Sequence, residues 1–236
     1  MLTVVTTAML VAVALFVRDI SRLPTVAAPV ALSSPARPSA GASPSAAAHK
    51  VSPRPQTASG PRVTDASSGL SYQLLASPWR AGCPAVLNTS TFSWTAGENA
   101  VAGQVTINGS LFDWHGNACS GQLQQQVPYS GPADLQSVAT SLVATLDPLY
   151  YDPLVHSRTV QASSALQISG HQAWAVRFLV SYSDAATEGL NWTSELGELV
   201  LVDRGADQAP AVFYVSVPAN LGTSNVSELV GSLRLG

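Results

Sequence analysis

The sequence predicts an α+β domain built on a central antiparallel sheet of six or more strands that is flanked by two amphipathic helices. Residues 163–217 contain four alternating apolar segments separated by short turns, and residues 70–114 contain further segments of this kind. Two other segments repeat apolar residues at helical spacing. Because short connections join antiparallel strands, residues 163–217 are predicted to form a four-stranded meander.

An apolar segment opens the chain. Leu2–Val17 contains no charged residue, which is typical of a membrane helix or of the core of a signal peptide. No basic residue precedes it, and the small-residue pair Val26 and Ala28 lies behind a charged spacer, which favours an uncleaved anchor. Residues 1–23 are therefore predicted to be a transmembrane anchor, and secretion after signal cleavage is the alternative.

Residues 24–68 are predicted to be a disordered linker, because they are rich in Pro, Ala and Ser and offer little to bury. Arg18 and Arg22 follow the apolar segment, and the positive-inside rule taken literally would place the remainder in the cytoplasm. The cysteines and the linker favour the opposite orientation. We therefore expect a single-pass protein of the cell membrane whose folded domain, residues 69–236, is extracytoplasmic.

The folded part is acidic. From residue 69 onward the chain has five arginines and twelve acidic residues, a net of minus seven. This charge makes it a poor binder of phosphate backbones, so no nucleic-acid partner is expected. The use of Arg in place of nearly all Lys, together with abundant Ala, is typical of a GC-rich bacterial genome.

The elements follow in order. Leu70, Tyr72 and Leu74 alternate in a first strand that ends before Pro78. Residues 89–96 and 100–114 form two or three more strands, with Asn108–Gly109 as a hairpin signal. A helix follows Gly131–Pro132 and ends at residues 147–148.

The second helix lies at the end of the chain. Val226, Leu229, Val230 and Leu233 share one of its faces, and Asn225 with Glu228 resembles a capping box. In the meander, the alternate residues from Trp174 to Tyr182 form an apolar face. We expect both helices to pack against that face.

Cys83 and Cys119 are the only cysteines. In an exported chain a pair 36 positions apart is predicted to form a disulfide, which the loop-entropy model values at about 4 kcal/mol. The alternative is a redox or metal pair. That role would need closer spacing or neighbouring His and acidic ligands.

The element order, the opening LSYQLLASPW, the ISGHQAWAVRFLVSY strand pair and the terminal SLRLG helix resemble the PsbP-like group. This group includes actinobacterial LpqN-type lipoproteins and the photosystem subunit PsbP. The resemblance implies an antiparallel sheet of about six strands with helices on its faces and a mostly non-enzymatic role in binding or assembly. The chain lacks the lipid-anchor cysteine and adds a cysteine pair, so the family's partners are not carried over.

Candidate chemistry is sparse. Asp113 with His115, and Asp152 with His156, are spaced so that a carboxylate could orient an imidazole for base chemistry or metal binding. The alternative is a solvated histidine beside a turn aspartate. No nucleophile, metal or phosphate-loop motif accompanies either pair. No catalytic residue, metal ligand or cofactor is therefore predicted.

Trp79, Tyr150 and Tyr151 are the candidate binding residues. Tyr150 and Tyr151 lie between two Asp–Pro steps, where a rigid loop would offer aromatic rings to a sugar or peptide. The alternative is that Trp79 belongs to the core and that the tyrosines pack against the sheet edge.

These observations predict a non-catalytic, membrane-tethered extracytoplasmic module that binds a protein or cell-wall partner in a bacterial cell envelope. The alternative is a cell-envelope hydrolase that uses His115 or His156 with an acid and a serine.

Overall fold

The computed structural model describes residues 60–107 and 109–236, whose centre is a seven-stranded antiparallel sheet. The predicted anchor, most of the predicted linker and Asn108 lie outside the described residues. The strands are β1 (Arg62–Thr64), β2 (Leu70–Gln73), β3 (Arg80–Ala81), β4 (Phe92–Ile107), β5 (Ser110–Leu123), β6 (His156–Ile168), β7 (His171–Tyr182), β8 (Ser194–Val202), β9 (Ala211–Pro218) and β10 (Arg234–Leu235). The order across the large sheet is β3-β4-β5-β9-β8-β7-β6.

The predicted meander is confirmed, since β6, β7, β8 and β9 pair in succession and every pair is antiparallel. Ser169 and Gly170 connect β6 to β7 with φ angles of 52° and 87°. Positive φ at both positions gives a two-residue turn whose twist matches that of the flanking strands. The next turn, from β7 to β8, is longer and ends where β8 begins at Ser194.

β4 and β5 form one long hairpin where two or three separate strands were predicted. Residues 92–96 of the first predicted segment and residues 100–107 of the second belong to a single strand, which bends at two register shifts, one near Trp94 and the other near Val101. Bulges of this kind increase the local twist of a long strand. β5 then pairs with β9, which joins the hairpin to the meander.

One face of the sheet is covered by helix α1 (Leu135–Leu146). The helix buries one stripe of apolar side chains, namely Leu135, Val138, Ala139, Leu142, Val143 and Leu146. They pack on the meander face that includes Val176, Phe178 and Val180, as predicted. A π-helical turn, Asp147–Tyr151, continues the helix and carries both tyrosines to the end of the sheet.

The opposite face has its own cover, a three-stranded sheet of β1, β2 and β10 together with helix α2 (Ser224–Ser232). The prediction that both helices share the Trp174–Tyr182 face is wrong. All eight residues of β9 are buried, and a strand that is apolar on both faces requires a cover on both. α2 therefore packs over the alternate residues, among them Ala173 and Ala175.

The predicted capping box at the start of α2 is also wrong. The Asn225 side chain donates to the Leu221 carbonyl oxygen at 3.0 Å, and Glu228 accepts a hydrogen bond from Gln73 of β2 at 2.9 Å. Glu228 therefore ties the helix to the small sheet.

Across residues 60–107 and 109–236, no helix has the length and apolar character needed to cross a membrane.

Candidate functional site

A pocket of about 120 Å³ lies beside the hydrophobic core that α1 covers, at the end of the sheet to which the π-helical turn leads. Its wall is formed by the loop after Cys83, the middle of β5, the π-helical turn that carries Tyr150 and Tyr151, the start of β8 and the end of β9. The lining residues are Pro84, Val86, Leu87, Asp113, Trp114, His115, Asn117, Tyr150, Tyr151, Glu195, Tyr214 and Ser216.

Glu195 is a carboxylate buried at the inner end of this pocket, with 1% of its surface exposed. Its Oε1 accepts hydrogen bonds from the Trp114 indole N–H and from the Tyr182 hydroxyl, the latter at 2.8 Å. Its Oε2 accepts one from the Ser216 hydroxyl at 2.7 Å. Burial raises the pKa of Glu195 to about 7, although the three donors act in the opposite direction.

A chain of hydroxyl groups leads from this carboxylate to Tyr214. Tyr151 donates to Ser216 Oγ at 2.9 Å, and the hydroxyl oxygens of Tyr151 and Tyr214 are 2.7 Å apart. Burial holds the pKa of both tyrosines well above the ordinary value, and the nearby Glu195 adds to that rise. The phenols are therefore neutral hydrogen-bonding groups, which makes them unsuited to act as bases at neutral pH.

Tyr150 forms the outer wall of the pocket. Its hydroxyl accepts a hydrogen bond from the Trp94 indole at 3.0 Å and donates to the Leu87 carbonyl oxygen at 2.7 Å. Burial raises the pKa of Tyr150 to about 12. Val86, 84% exposed, lies on the rim next to it. The structure thus brings both predicted tyrosines into one site.

Trp79 does not join this site. It is 7% exposed and belongs to the core beneath α2, where it packs close to Gly116. This placement corresponds to the core alternative considered for Trp79 from the sequence. The ring supports the fold on the face opposite the pocket.

The two candidate histidine–aspartate pairs do not form, and both histidines lie on strands and not in the turns expected from the sequence. His115 Nδ1 contacts Asn99 Oδ1 at 3.2 Å, while Asp113 accepts a hydrogen bond from Gln104 at 3.0 Å. These two side chains follow each other on β5 but bond to different residues of β4.

The second candidate histidine, His156, contacts the backbone oxygen of Leu154 through Nδ1 at 2.8 Å. Ser216, which lines the same pocket as His115, donates to the Glu195 carboxylate. Within the described part of the chain, no hydrogen bond joins a serine to a histidine, so the arrangement that a serine hydrolase needs is not assembled.

The predicted disulfide is confirmed, with 5.6 Å between the Cα atoms of Cys83 and Cys119. Cys119 lies in β5, so the bond holds the loop that begins at Pro84 against the pocket-forming strand. Across residues 60–107 and 109–236, no group of three or more His, Cys, Asp or Glu side chains is arranged to hold a metal ion.

A larger open cleft of about 850 Å³ lies between the loop after β5 and the loop between β8 and β9. The Tyr129 hydroxyl donates to Asp203 Oδ1 across it at 2.8 Å. Burial and this carboxylate raise the pKa of Tyr129. The cleft is a shallow junction between two loops whose central polar groups already bond to each other.

Glu195, Asn117 and Ser216 were missed by the sequence reasoning. A signal for Glu195 was present, since it lies two residues before Gly197 and four before Leu199 in strand β8. Because side chains alternate between the two faces of a strand, Glu195, Gly197 and Leu199 lie on the same face of β8. A carboxylate on the buried face of a strand indicates a local hydrogen-bond network, because an unpaired charge there would be strongly unfavourable.

Comparison with known proteins gives little more. No family model matches the chain, and no curated protein matches it significantly. Among solved structures, the chain is similar to the solution structure of cyanobacterial PsbP (CyanoP) from Synechocystis sp. PCC 6803. The TM-score is 0.46 at 9% identity, over 75% of this chain and 92% of that chain. Neither PsbP-like membership nor the LpqN-type comparison follows from so distant a likeness.

Proposed function

We propose that this chain is a non-catalytic, membrane-tethered binding or assembly module on the outer side of a bacterial cell envelope. The observation that carries the proposal is the Glu195 pocket, a concave and preformed site whose polar groups are held in place by the protein. Its reactive-looking groups are engaged with one another. They form a rigid recognition surface.

The compartment and the partner are part of the same proposal. A disulfide favours an oxidising compartment, and the apolar residues 2–17 are the proposed anchor, with secretion after cleavage as the alternative. The partner is a protein or cell-wall component. The hydrolase alternative gains no support, because Ser216 donates to Glu195 and not to a histidine.

Site-specific photo-crosslinking tests the binding function. A photoreactive residue replaces Val86 on the pocket rim in the full-length chain, expressed in bacteria. The control replaces Val160, which is 50% exposed on the edge strand β6. We expect a discrete adduct from position 86 and none from position 160. Equal adducts at both positions, or none at either, would overturn the proposal.

A further inference from the structure

The pocket has committed its hydroxyl and indole hydrogen-bond donors to the protein. Trp114 and Ser216 both donate to Glu195. Because Tyr151 donates to Ser216, the bond between Tyr151 and Tyr214 uses the Tyr214 hydrogen. In the series Tyr214, Tyr151 and Ser216, each hydroxyl group therefore donates its hydrogen towards the Glu195 carboxylate, and none of these hydrogens is left for a ligand.

Two further lining side chains have also spent their donors. The Tyr150 hydroxyl donates to the Leu87 carbonyl oxygen. The His115 ring donates from Nδ1 to Asn99 Oδ1, because an amide oxygen can only accept. In the neutral ring this leaves Nε2 as an acceptor.

Apart from one remaining N–H of Asn117, the free hydrogen-bonding capacity of the pocket side chains consists of acceptors. Asn117 is 8% exposed, and its Oδ1 has no hydrogen-bond partner among the described residues, while its Nδ2 donates to the His115 carbonyl oxygen at 3.1 Å. Asp113 adds a carboxylate, Glu195 adds a second when it is ionised above about pH 7, and neither Lys nor Arg lines the pocket. Unsatisfied buried acceptors beside negative charge favour a cationic group that donates hydrogen bonds.

We propose that this pocket binds a primary ammonium group, either of a small amine or of a lysine side chain presented by a partner. An ammonium group carries three N–H donors, which match Asn117 Oδ1 and the neighbouring acceptors. The rings of Tyr150, Tyr151 and Tyr214 line the pocket, and aromatic rings attract cations. A volume of about 120 Å³ corresponds to about four waters, which suits a short alkylammonium. This inference rests on the proposed binding function and gives its ligand chemistry.

The test follows the indole N–H resonance of Trp114 by NMR in the full-length chain. Propylammonium chloride is titrated into the protein, and two comparison compounds, each lacking one property of propylammonium, are titrated in separate experiments. Propanol has the size without the charge, and tetramethylammonium chloride has the charge without an N–H donor. We expect a saturable shift with propylammonium alone. The same response to all three, or none to propylammonium, would overturn the inference.

Two variants locate the binding to this pocket. Asn117→Leu removes an acceptor for the ammonium group and Glu195→Gln removes a negative charge beside it, and we expect each to raise the Kd about tenfold or more. The matched control is Gln161→Leu on the exposed strand β6, which leaves the Kd unchanged. Glu195→Gln keeps the shape of the side chain, so the test survives if Asn117→Leu does not fold. An unchanged Kd in folded Glu195→Gln would contradict the inference.

The source of the ammonium is decided by a lysine peptide and its side-chain-acetylated form. Tighter binding of the unmodified peptide than of propylammonium indicates a partner lysine, and binding of propylammonium alone indicates a small amine; either result supports the inference. A specific adduct at Val86 without any ammonium response refutes the ligand chemistry and leaves the binding function standing. Ammonium binding without an adduct supports the ligand chemistry and removes the proposed macromolecular partner.

Discussion

Replacing Glu195 by Gln is expected to change how the stability of the protein depends on pH. Burial raises the pKa of this carboxyl from the ordinary 4.5 to about 7 in the folded protein. The folded chain therefore holds the proton more tightly than the unfolded chain does. The resulting stabilisation is fully present below about pH 4.5 and is lost as the pH rises through about 7.

The size of the effect follows from the shift. A change from 4.5 to about 7 corresponds to about 3 kcal/mol in the free energy of unfolding. Between these values that free energy falls by about 1.4 kcal/mol for each pH unit. Glu98 contributes a similar slope, since burial also raises its pKa to about 7 despite a hydrogen bond from the Leu75 amide at 2.9 Å.

Urea unfolding followed by tryptophan fluorescence, at unit intervals between about pH 5 and 8, measures this slope. A glutamine side chain at position 195 stays neutral throughout this pH range. We therefore expect Glu195→Gln to remove the contribution of Glu195 to the slope and to keep that of Glu98. The control, Glu188→Gln, changes an exposed carboxyl and leaves the slope intact. A Glu195→Gln profile parallel to that of the unmodified protein would refute the reasoning.

Two further predictions concern packing and the crosslink. A Cβ at Gly197 would overlap the ring of Phe178, which is 0% exposed, so Gly197→Ala should destabilise the fold by about 1–3 kcal/mol. Gly231→Ala, at an open position in α2, should stabilise it by about 0.5–1 kcal/mol. A urea midpoint for Gly197→Ala that is not below that of the unmodified protein, or one for Gly231→Ala that is not above it, would contradict the corresponding prediction. Replacing Cys83 and Cys119 by Ala should cost about 4 kcal/mol, as should reducing the unmodified protein. A double variant as stable as the oxidised protein would show that the crosslink contributes nothing.

Much of the fold was predictable because its signals are local. The alternation from Trp174 to Tyr182 and the turn at Ser169–Gly170 identify a strand and its hairpin within a few residues of sequence. The helix after Gly131 also followed from spacing alone. The faces were not predictable in the same way, since a strand such as β9 is apolar on both sides and its sequence does not say which helix covers which side.

The meander, the two helices and the pairing of the cysteines follow from the amino-acid sequence, because each depends on local periodicity or on there being a single pair. The small second sheet and the pocket depend on contacts between residues that are far apart in the sequence. Trp114 and Glu195 are 81 positions apart, and Tyr151 and Ser216 are 65 apart. A buried carboxylate is tolerated only where donors from distant strands converge on it, and that convergence is a property of the packed sheet.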